Sequence, residues 1–352
     1  MNINSVLGKD WISKNYNEET VSFLKDNFSL SEILSRLIAI RNIKIEEVKL
    51  FLNPRIKNLL PNPFILKDME KTVDRTIAAI IKKEKIGIFG DYDVDGATST
   101  AVLGNYFNEI DQEIEIYIPD RKTEGYGPSK QGFQKLISSG AKLIFTVDCG
   151  TMSFDTIDFS QKKNTDVLVL DHHQSELKLP NAFSIVNPNR YDDKSNLNYL
   201  CAAGVCLMFL VALNKKLREL KWFIKNNKKE PNLINFLDLV SLGTICDVVP
   251  LTGLNRAIVN QGLEILKKKS NLGLKTLKNI CGIESNITTY HLGYILGPRI
   301  NAGGRVGKCS HGANLLLSKN TKEIFKIASE LEAFNKERKL IEMNMLKNIE
   351  NT

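Results

Sequence analysis

The chain reads as an α/β protein, a parallel sheet flanked by helices with a helical N-terminal segment and a long C-terminal helix. Three observations predict this. From about residue 81, short apolar runs alternate with helical stretches. Ile86-Gly87-Ile88-Phe89, Leu143–Val147 and Val167-Leu168-Val169-Leu170 are apolar throughout, as strands covered on both faces are. From Thr321 onward, charged residues surround apolar positions at helical spacing.

Taken in order, residues 1–80 read as helices and loops, with helical spacing over 31–38 and breaks at Asn53-Pro54 and Pro61-Asn62-Pro63. Residues 85–89 predict a strand, 97–107 a helix, 114–118 a strand and 129–139 a helix, before the Leu143 and Val167 strands. Residues 232–249 predict a long buried helix running into Pro250, after a polar loop at 225–231. The stretch 297–312, rich in glycine and arginine, predicts a functional loop or a tight crossing. The last helix carries Ile324, Ile327, Leu331, Phe334, Ile341 and Met345, a thin stripe with little sequence left to pack against. The expected regions are therefore 1–80, 81–270, 271–320 and 321–352.

Composition narrows the class. At 352 residues, 43% hydrophobic and 25% charged, the chain is an ordinary globular one with room for more than one domain. Its net charge of +8 favours a polyanionic partner, although scattered lysines give the same figure by composition alone. Cys149, Cys201, Cys206, Cys246, Cys281 and Cys309 stand singly without a CxxC pair, which predicts reduced thiols, not a disulfide framework or a zinc site. No apolar run reaches membrane-spanning length and Met1-Asn2-Ile3-Asn4-Ser5 lacks a leader pattern, so a cytoplasmic protein without a membrane partner is expected.

Chemistry concentrates where the strands should stop. Asp91-Tyr92-Asp93-Val94-Asp95-Gly96, Asp148-Cys149-Gly150 and Asp171-His172-His173 each follow an apolar run, and Cys246-Asp247 supplies a fourth acidic end. Any one such Asp can be a helix N-cap. Together they exceed what capping needs: Asp91, Asp93 and Asp95 lie on one side of the segment if it stays extended, where they repel unless a cation neutralises them. Mixed carboxylate and imidazole donors suit two divalent ions roughly 3.5–4 Å apart, manganese before magnesium or calcium. Arg299 and Arg305 flank Asn301-Ala302-Gly303-Gly304, a pattern matched to phosphate oxygens, with His291, Lys308 and His311 as weaker candidates. Tyr126 is either a base-stacking residue or a core aromatic.

These motifs, in this order, resemble the DHH phosphoesterase family, whose name is the triplet Asp171-His172-His173. Gly90 to Ser99, Glu124-Gly125-Tyr126-Gly127, Cys201-Ala202-Ala203-Gly204-Val205, Leu242-Gly243-Thr244 with Asp247 to Leu251, and Gly297 to Arg305 resemble its RecJ branch. The resemblance runs from about residue 31 to the last helix. It implies a DHH catalytic α/β domain at 81–270, a substrate-contact segment at 271–320 and a connecting helix at 321–352. The activity it implies is a metal-dependent 5′→3′ exonuclease on single-stranded DNA, in recombination and repair. By residue, it implies that Asp91 and Asp93 hold a first metal, that Asp95, His172 and Asp247 hold a second, and that Asp148 bridges both. His173 then faces the substrate phosphate, completing a catalytic set with Asp148 and His172, while Arg299, Asn301, Arg305 and Tyr126 contact the strand.

Members of that branch continue past the long helix into a second domain ending in a glycine-rich motif with histidine, and they carry an OB-fold. This sequence reaches Thr352 within the helical pattern, so the expectation is a monomer with weak, distributive activity, the alternatives being a sequence fragment or a chain completed by a partner docking on the stripe around Leu331, Phe334 and Ile341. A single-strand-binding protein or a helicase would be a natural companion. The alternatives are a phosphodiesterase acting on short oligoribonucleotides or cyclic dinucleotides, an inorganic pyrophosphatase, and a non-catalytic replication scaffold. A scaffold should have lost metal-ligand residues that this chain retains.

Overall fold

A computed structural model describes residues 3–4, 8–268, 270–284 and 286–350. Residues 1–2, 5–7 and 351–352, read above for a leader and for the end of the helix, lie outside the described residues. The chain divides into two compact units, Met1–Asn58 and Leu59–Thr352. In the first, Ile3–Asn4 pairs antiparallel with Asp10–Trp11, and helices Glu18–Phe28 and Glu32–Ile40 bury Leu24, Ile38 and Val48 between them. Asn17 and Ser31 cap these helices by accepting the Thr20 and Leu34 backbone N–H groups, as their residue types favour.

The second unit is built on a five-stranded, all-parallel sheet. Its strands are β1 (Ile86–Gly90), β2 (Ile114–Tyr117), β3 (Leu143–Val147), β4 (Asp166–Leu170) and β5 (Ser184–Val186), in the order β2-β1-β3-β4-β5. β1 and β3 are buried at every residue, the signature of strands covered on both faces. One face carries Phe89, Ile144, Val167 and Val169 under α3 (Lys130–Ser138) and α4 (Phe154–Gln161). On the other, Phe145 meets Phe107 of α2 (Val94–Glu109) and Phe209 of α5 (Ala202–Glu219), ring centroids 5.8 and 5.3 Å apart. α1 (Met69–Lys82) packs on α5 and β5. No helix among the described residues is long and apolar enough to cross a membrane.

Register places the chemistry. Gly90 pairs with Val147, and Val147 with Leu170, so the next residues, Asp91, Asp148 and Asp171, emerge at one level from three neighbouring strands. The ladder extends one residue further, since the Asp148 N–H donates to the Leu170 carbonyl and the Asp171 N–H to the Val186 carbonyl, both at 3.1 Å. The connection from β1 goes to one side and β3 lies on the other, which makes the gap between them a topological switch point, where open α/β sheets leave a crevice.

Several expectations are corrected. Residues 91–95 do not stay extended: α2 begins at Val94, three residues earlier than expected, so Asp95 sits in its first turn and Asp93 is its N-cap. The expected 232–249 helix is a 3-10 turn, Leu233–Phe236, followed by α6 (Leu237–Cys246), because Val248 adopts a left-handed φ of 59° that no α-helix continues. Asp247 therefore caps a helix C-terminus and does not lie within the expected longer helix. The 297–312 stretch is helical: a π turn, His291–Leu296, feeds the α9 helix (Gly297–Arg305) after α7 (Gly253–Lys268) and α8 (Leu272–Ile280), and α10 (His311–Leu317) follows. Its glycines serve close packing, since a Cβ on Gly297 would collide with Cys246 Sγ. α11 (Thr321–Glu350) is the predicted long helix, but it finds partners in α8, α9 and α10. Ile324, Ile327 and Leu331 are buried and Phe334 is half-buried, so the exposed apolar stripe lies further along, at Leu340, Ile341, Met345 and Leu346.

Candidate metal centre

Each acidic residue is fixed by the element that delivers it. Asp91, at the end of β1, is buried and accepts the Tyr92 N–H at 2.8 Å. Asp93 accepts the Gly96 N–H at 2.9 Å, and a Cβ on Gly96 would lie 2.5 Å from the Asp91 carbonyl, so the tight turn needs glycine there. Asp95 turns inward and is held by the N-terminus of α5: the Ala202 and Ala203 N–H groups donate to its two oxygens at 2.6 and 3.1 Å. Those N–H groups have no intrahelical acceptor and carry the positive end of the helix dipole. Gly243 of α6 leaves room for the same carboxylate, since a Cβ would come within 2.6 Å of Asp95 Oδ1.

Asp148 adopts a left-handed φ of 60°, a conformation that costs a non-glycine residue roughly 1–2 kcal/mol and recurs at functional sites. The Asp171-His172-His173 turn is pinned from behind: Asn187 Nδ2 donates to the His173 carbonyl at 2.8 Å and Asn189 Nδ2 to the His172 carbonyl at 2.5 Å. Asp171 does not join the acidic cluster. It accepts the Thr151, His172 and His173 N–H groups and lies 2.8 Å from His173 Nδ1. Burial works to raise its pKa, yet those bonds, the His173 one foremost, hold it below the usual carboxylate range. Its partner His173 is pushed up to about 9, chiefly by that same bond. The other nitrogen, Nε2, lies 3.1 Å from Tyr126 Oη.

Sequence-predicted residues converge around His172. Its Nε2 lies 3.3 Å from Asp148, 3.6 Å from Asp247 and 3.7 Å from Asp95. Three sets place their ligand atoms within 4.8 Å of one another: Asp91, Asp93 and Asp148; Asp95, His172 and Asp247; and Asp148, His172 and His173. Burial first, then neighbouring carboxylates, raises Asp91 to about 7 and Asp247 to about 6, and lifts Asp148 well above its ordinary value. Asp148 Oδ1 and His172 Nε2 are both buried without a hydrogen-bond partner, and an orphaned buried polar atom costs roughly 1–3 kcal/mol. Hard oxygen and imidazole donors left unsatisfied at this spacing fit divalent cations.

The strand-contact candidates divide. Tyr126 stands beside His173 and meets Tyr92 edge-on at 6.4 Å. Asn301 Oδ1 accepts the Val94 N–H at 3.1 Å, which fixes the start of α2 and with it the Asp93 and Asp95 positions. Arg299 is half-buried, pairing with Glu332 of α11 at 2.5 Å and donating to the Ile295 carbonyl at 2.8 Å. Arg305 is exposed and lines a 660 Å³ groove with Arg121, Lys122 and Arg338. His311 pairs with Glu330 at 2.5 Å, His291 Nδ1 accepts the Thr288 N–H just before the π turn, and Lys308 is exposed. Sequence reasoning missed Asn187 and Asn189, which carry only a turn-forming signal, and it missed that Ala202 and Ala203 act through their backbones.

Comparison with known proteins agrees with this geometry. Residues 85–244 match the DHH family, N-terminal domain. The single-stranded-DNA-specific exonuclease RecJ of Bacillus subtilis is 33% identical over 93% of this chain and 40% of its own length, and that of Escherichia coli is 36% identical over 90% and 55%. The chain spans about half the length of the curated relatives it matches. Among solved structures, RecJ from Thermus thermophilus in complex with Mn2+ superposes with a TM-score of 0.77 at 26% identity, covering 94% of this chain and 46% of that one. An exonuclease RecJ bound to manganese superposes with a TM-score of 0.71 at 29% identity, covering 80% and 69%.

Proposed function

We propose that this chain, whose residues 85–244 match the DHH family, N-terminal domain, is a metal-dependent exonuclease that removes nucleotides from the 5′ end of single-stranded DNA. The observation that carries this reading is the pair of orphaned buried atoms, Asp148 Oδ1 and His172 Nε2, at the switch point of the sheet. In this reading Asp91, Asp93 and Asp148 would hold one divalent ion, and Asp95, His172 and Asp247 would hold a second. Bound there, manganese or magnesium would polarise a phosphoryl oxygen and make a water nucleophilic at neutral pH.

The remaining work falls to the chain. Asp171 keeps His173 protonated at Nδ1 and fixes the ring plane, so Nε2–H rests on Tyr126 Oη 3.1 Å away, and a substrate phosphate would compete with that oxygen for the proton. A fixed cationic donor aimed where phosphate charge develops lowers the barrier without reorganising. Asn301 keeps the 93–95 turn in place while exposed Arg305 meets the phosphate backbone.

The test is digestion of 5′- and 3′-labelled single strands in manganese and in chelator, with duplex, RNA and dinucleotide controls. Manganese-dependent loss from the 5′ end, absent in Asp148→Ala, is the expected result. Cleavage of dinucleotides alone would reassign the substrate, and strand loss that persists in chelator would contradict the metal reading.

A further inference from the structure

The π turn that precedes α9 carries a feature the metal centre does not use. Tyr290 and Tyr294 stack with ring centroids 5.3 Å apart and planes 23° apart, yet they are 60% and 75% exposed. Aromatic rings carry large apolar faces that folding normally buries. Here Leu292 and Leu296 take the inward positions and the two rings are left outside. The turn has the wide π form over His291–Leu296, a rare geometry found mostly as single turns within helices and frequently at functional sites. It is also held in shape: His291 Nδ1 accepts the Thr288 N–H at 3.0 Å and lies 2.9 Å from Thr288 Oγ1.

The inner side of this turn is locked to the helix end that delivers Asp247. A Cβ on Gly293 would lie 3.2 Å from Ile245, and the Cys246 thiol donates to the Leu292 carbonyl at 3.5 Å. Ile245 and Cys246 are the two residues before Asp247. Directly after it, Val248 is 86% exposed at a φ of 59°, a genuine outlier for a β-branched residue. At the other end of the same wall, Gly304 packs on Tyr92 next to the β1 turn. The π turn and α9 thus flank the centre, with the exposed ring pair at the Asp247 end.

We propose that Tyr290 and Tyr294 form a base-stacking platform for single-stranded nucleic acid. This rests on the nuclease reading for the identity of the strand and adds how the chain grips bases away from the reacting phosphate. Ring faces accept any base, so the platform is indifferent to sequence. Neither ring carries charge, so its contribution is insensitive to salt, unlike that of a phosphate contact.

The experiment reads binding of a labelled oligonucleotide by fluorescence anisotropy in chelator, where no cutting occurs, for the unaltered chain, Tyr290→Ala/Tyr294→Ala and Tyr290→Phe/Tyr294→Phe. The alanine pair should raise Kd by about tenfold or more, while the phenylalanine pair, which keeps both faces, stays within about twofold. A strand with abasic sites should bind the unaltered chain more weakly by a similar factor and the alanine pair no more weakly still. Equal binding by the alanine pair overturns the platform, as does equal loss in the phenylalanine pair, which would assign the effect to the hydroxyls. Because binding is read without metal, a strand that binds this way but is not cut in manganese refutes the nuclease reading and leaves the platform standing.

Discussion

The centre around His172 and the α9 helix, joined to it through Asn301 and Gly304, treat charge in opposite ways. At the centre, Asp91, Asp95 and Asp148 are buried together, Asp148 Oδ1 has no hydrogen-bond partner, and burial first, with neighbouring carboxylates behind it, raises all three carboxyl groups. On α9, Arg299 is matched by Glu332 and a backbone carbonyl, and Asn301 by the Val94 N–H. The folded chain leaves charge unanswered where a ligand is to answer it, and answers it where the job is to hold the cleft in shape. Residue type alone does not separate the two, because Arg299 and Arg305 look alike in the sequence.

Mutation of the unanswered group should have the largest effect. Asp148→Ala should lower strand hydrolysis by at least the ~10²–10³-fold that one preorganised electrostatic contact is worth, with the far-ultraviolet circular dichroism spectrum unchanged. Activity within tenfold of the unaltered chain would remove Asp148 from the mechanism. Next, Asp171→Asn removes the bond that raises His173 to about 9. A histidine with a raised pKa is charged below that value and loses its charge as pH rises through it. The variant should therefore lose its alkaline activity limb between about pH 6.5, the ordinary histidine value, and pH 9. A pH–rate profile identical to that of the unaltered chain would contradict this role.

Stability should follow the same crowding. Asp91 at about 7 and Asp247 at about 6 lie above their unfolded value, so their contribution is full at low pH and is lost as pH rises through these values. Chelated protein should therefore melt at a lower temperature at pH 8 than at pH 5 from this source. Manganese should reverse the slope, because metal binding displaces those protons. Calorimetry at both pH values, with and without metal, checks the sign.

The smallest effects separate the two arginines. Arg299→Ala should cost stability, on the order of 1–3 kcal/mol for a charged hydrogen bond lost beside a partly buried Glu332, and should leave the salt dependence of strand binding unchanged. Arg305→Ala should leave melting unchanged and flatten the salt slope by about 0.7, one single-strand phosphate contact. The reverse assignment would show that satisfied charge is no guide to role.

Much of this arrangement was legible from residues. Leu143–Val147 reads as a strand because burial on both faces demands an unbroken apolar run, and the Asp148 that follows it is the mark of a strand end at a crevice. What escaped was whatever depends on contact with another element. An extended segment would set Asp95 on one side with Asp91 and Asp93, whereas α2 starts at Val94 and the α5 N-terminus reaches the Asp95 oxygens. The 297–305 segment looked like a loop because glycine is costly in helices, and only Cys246 and Tyr92 pressing against it explain why glycine is used there. β5, three residues long, was too short to announce itself.

The most direct test of a two-ion centre is calorimetric titration of the metal-free chain with manganese, alongside Asp148→Ala. The account predicts two ions bound per chain, with Asp148→Ala losing at least one of them together with strand hydrolysis. A single ion in the unaltered chain, or two ions retained by Asp148→Ala, would contradict it.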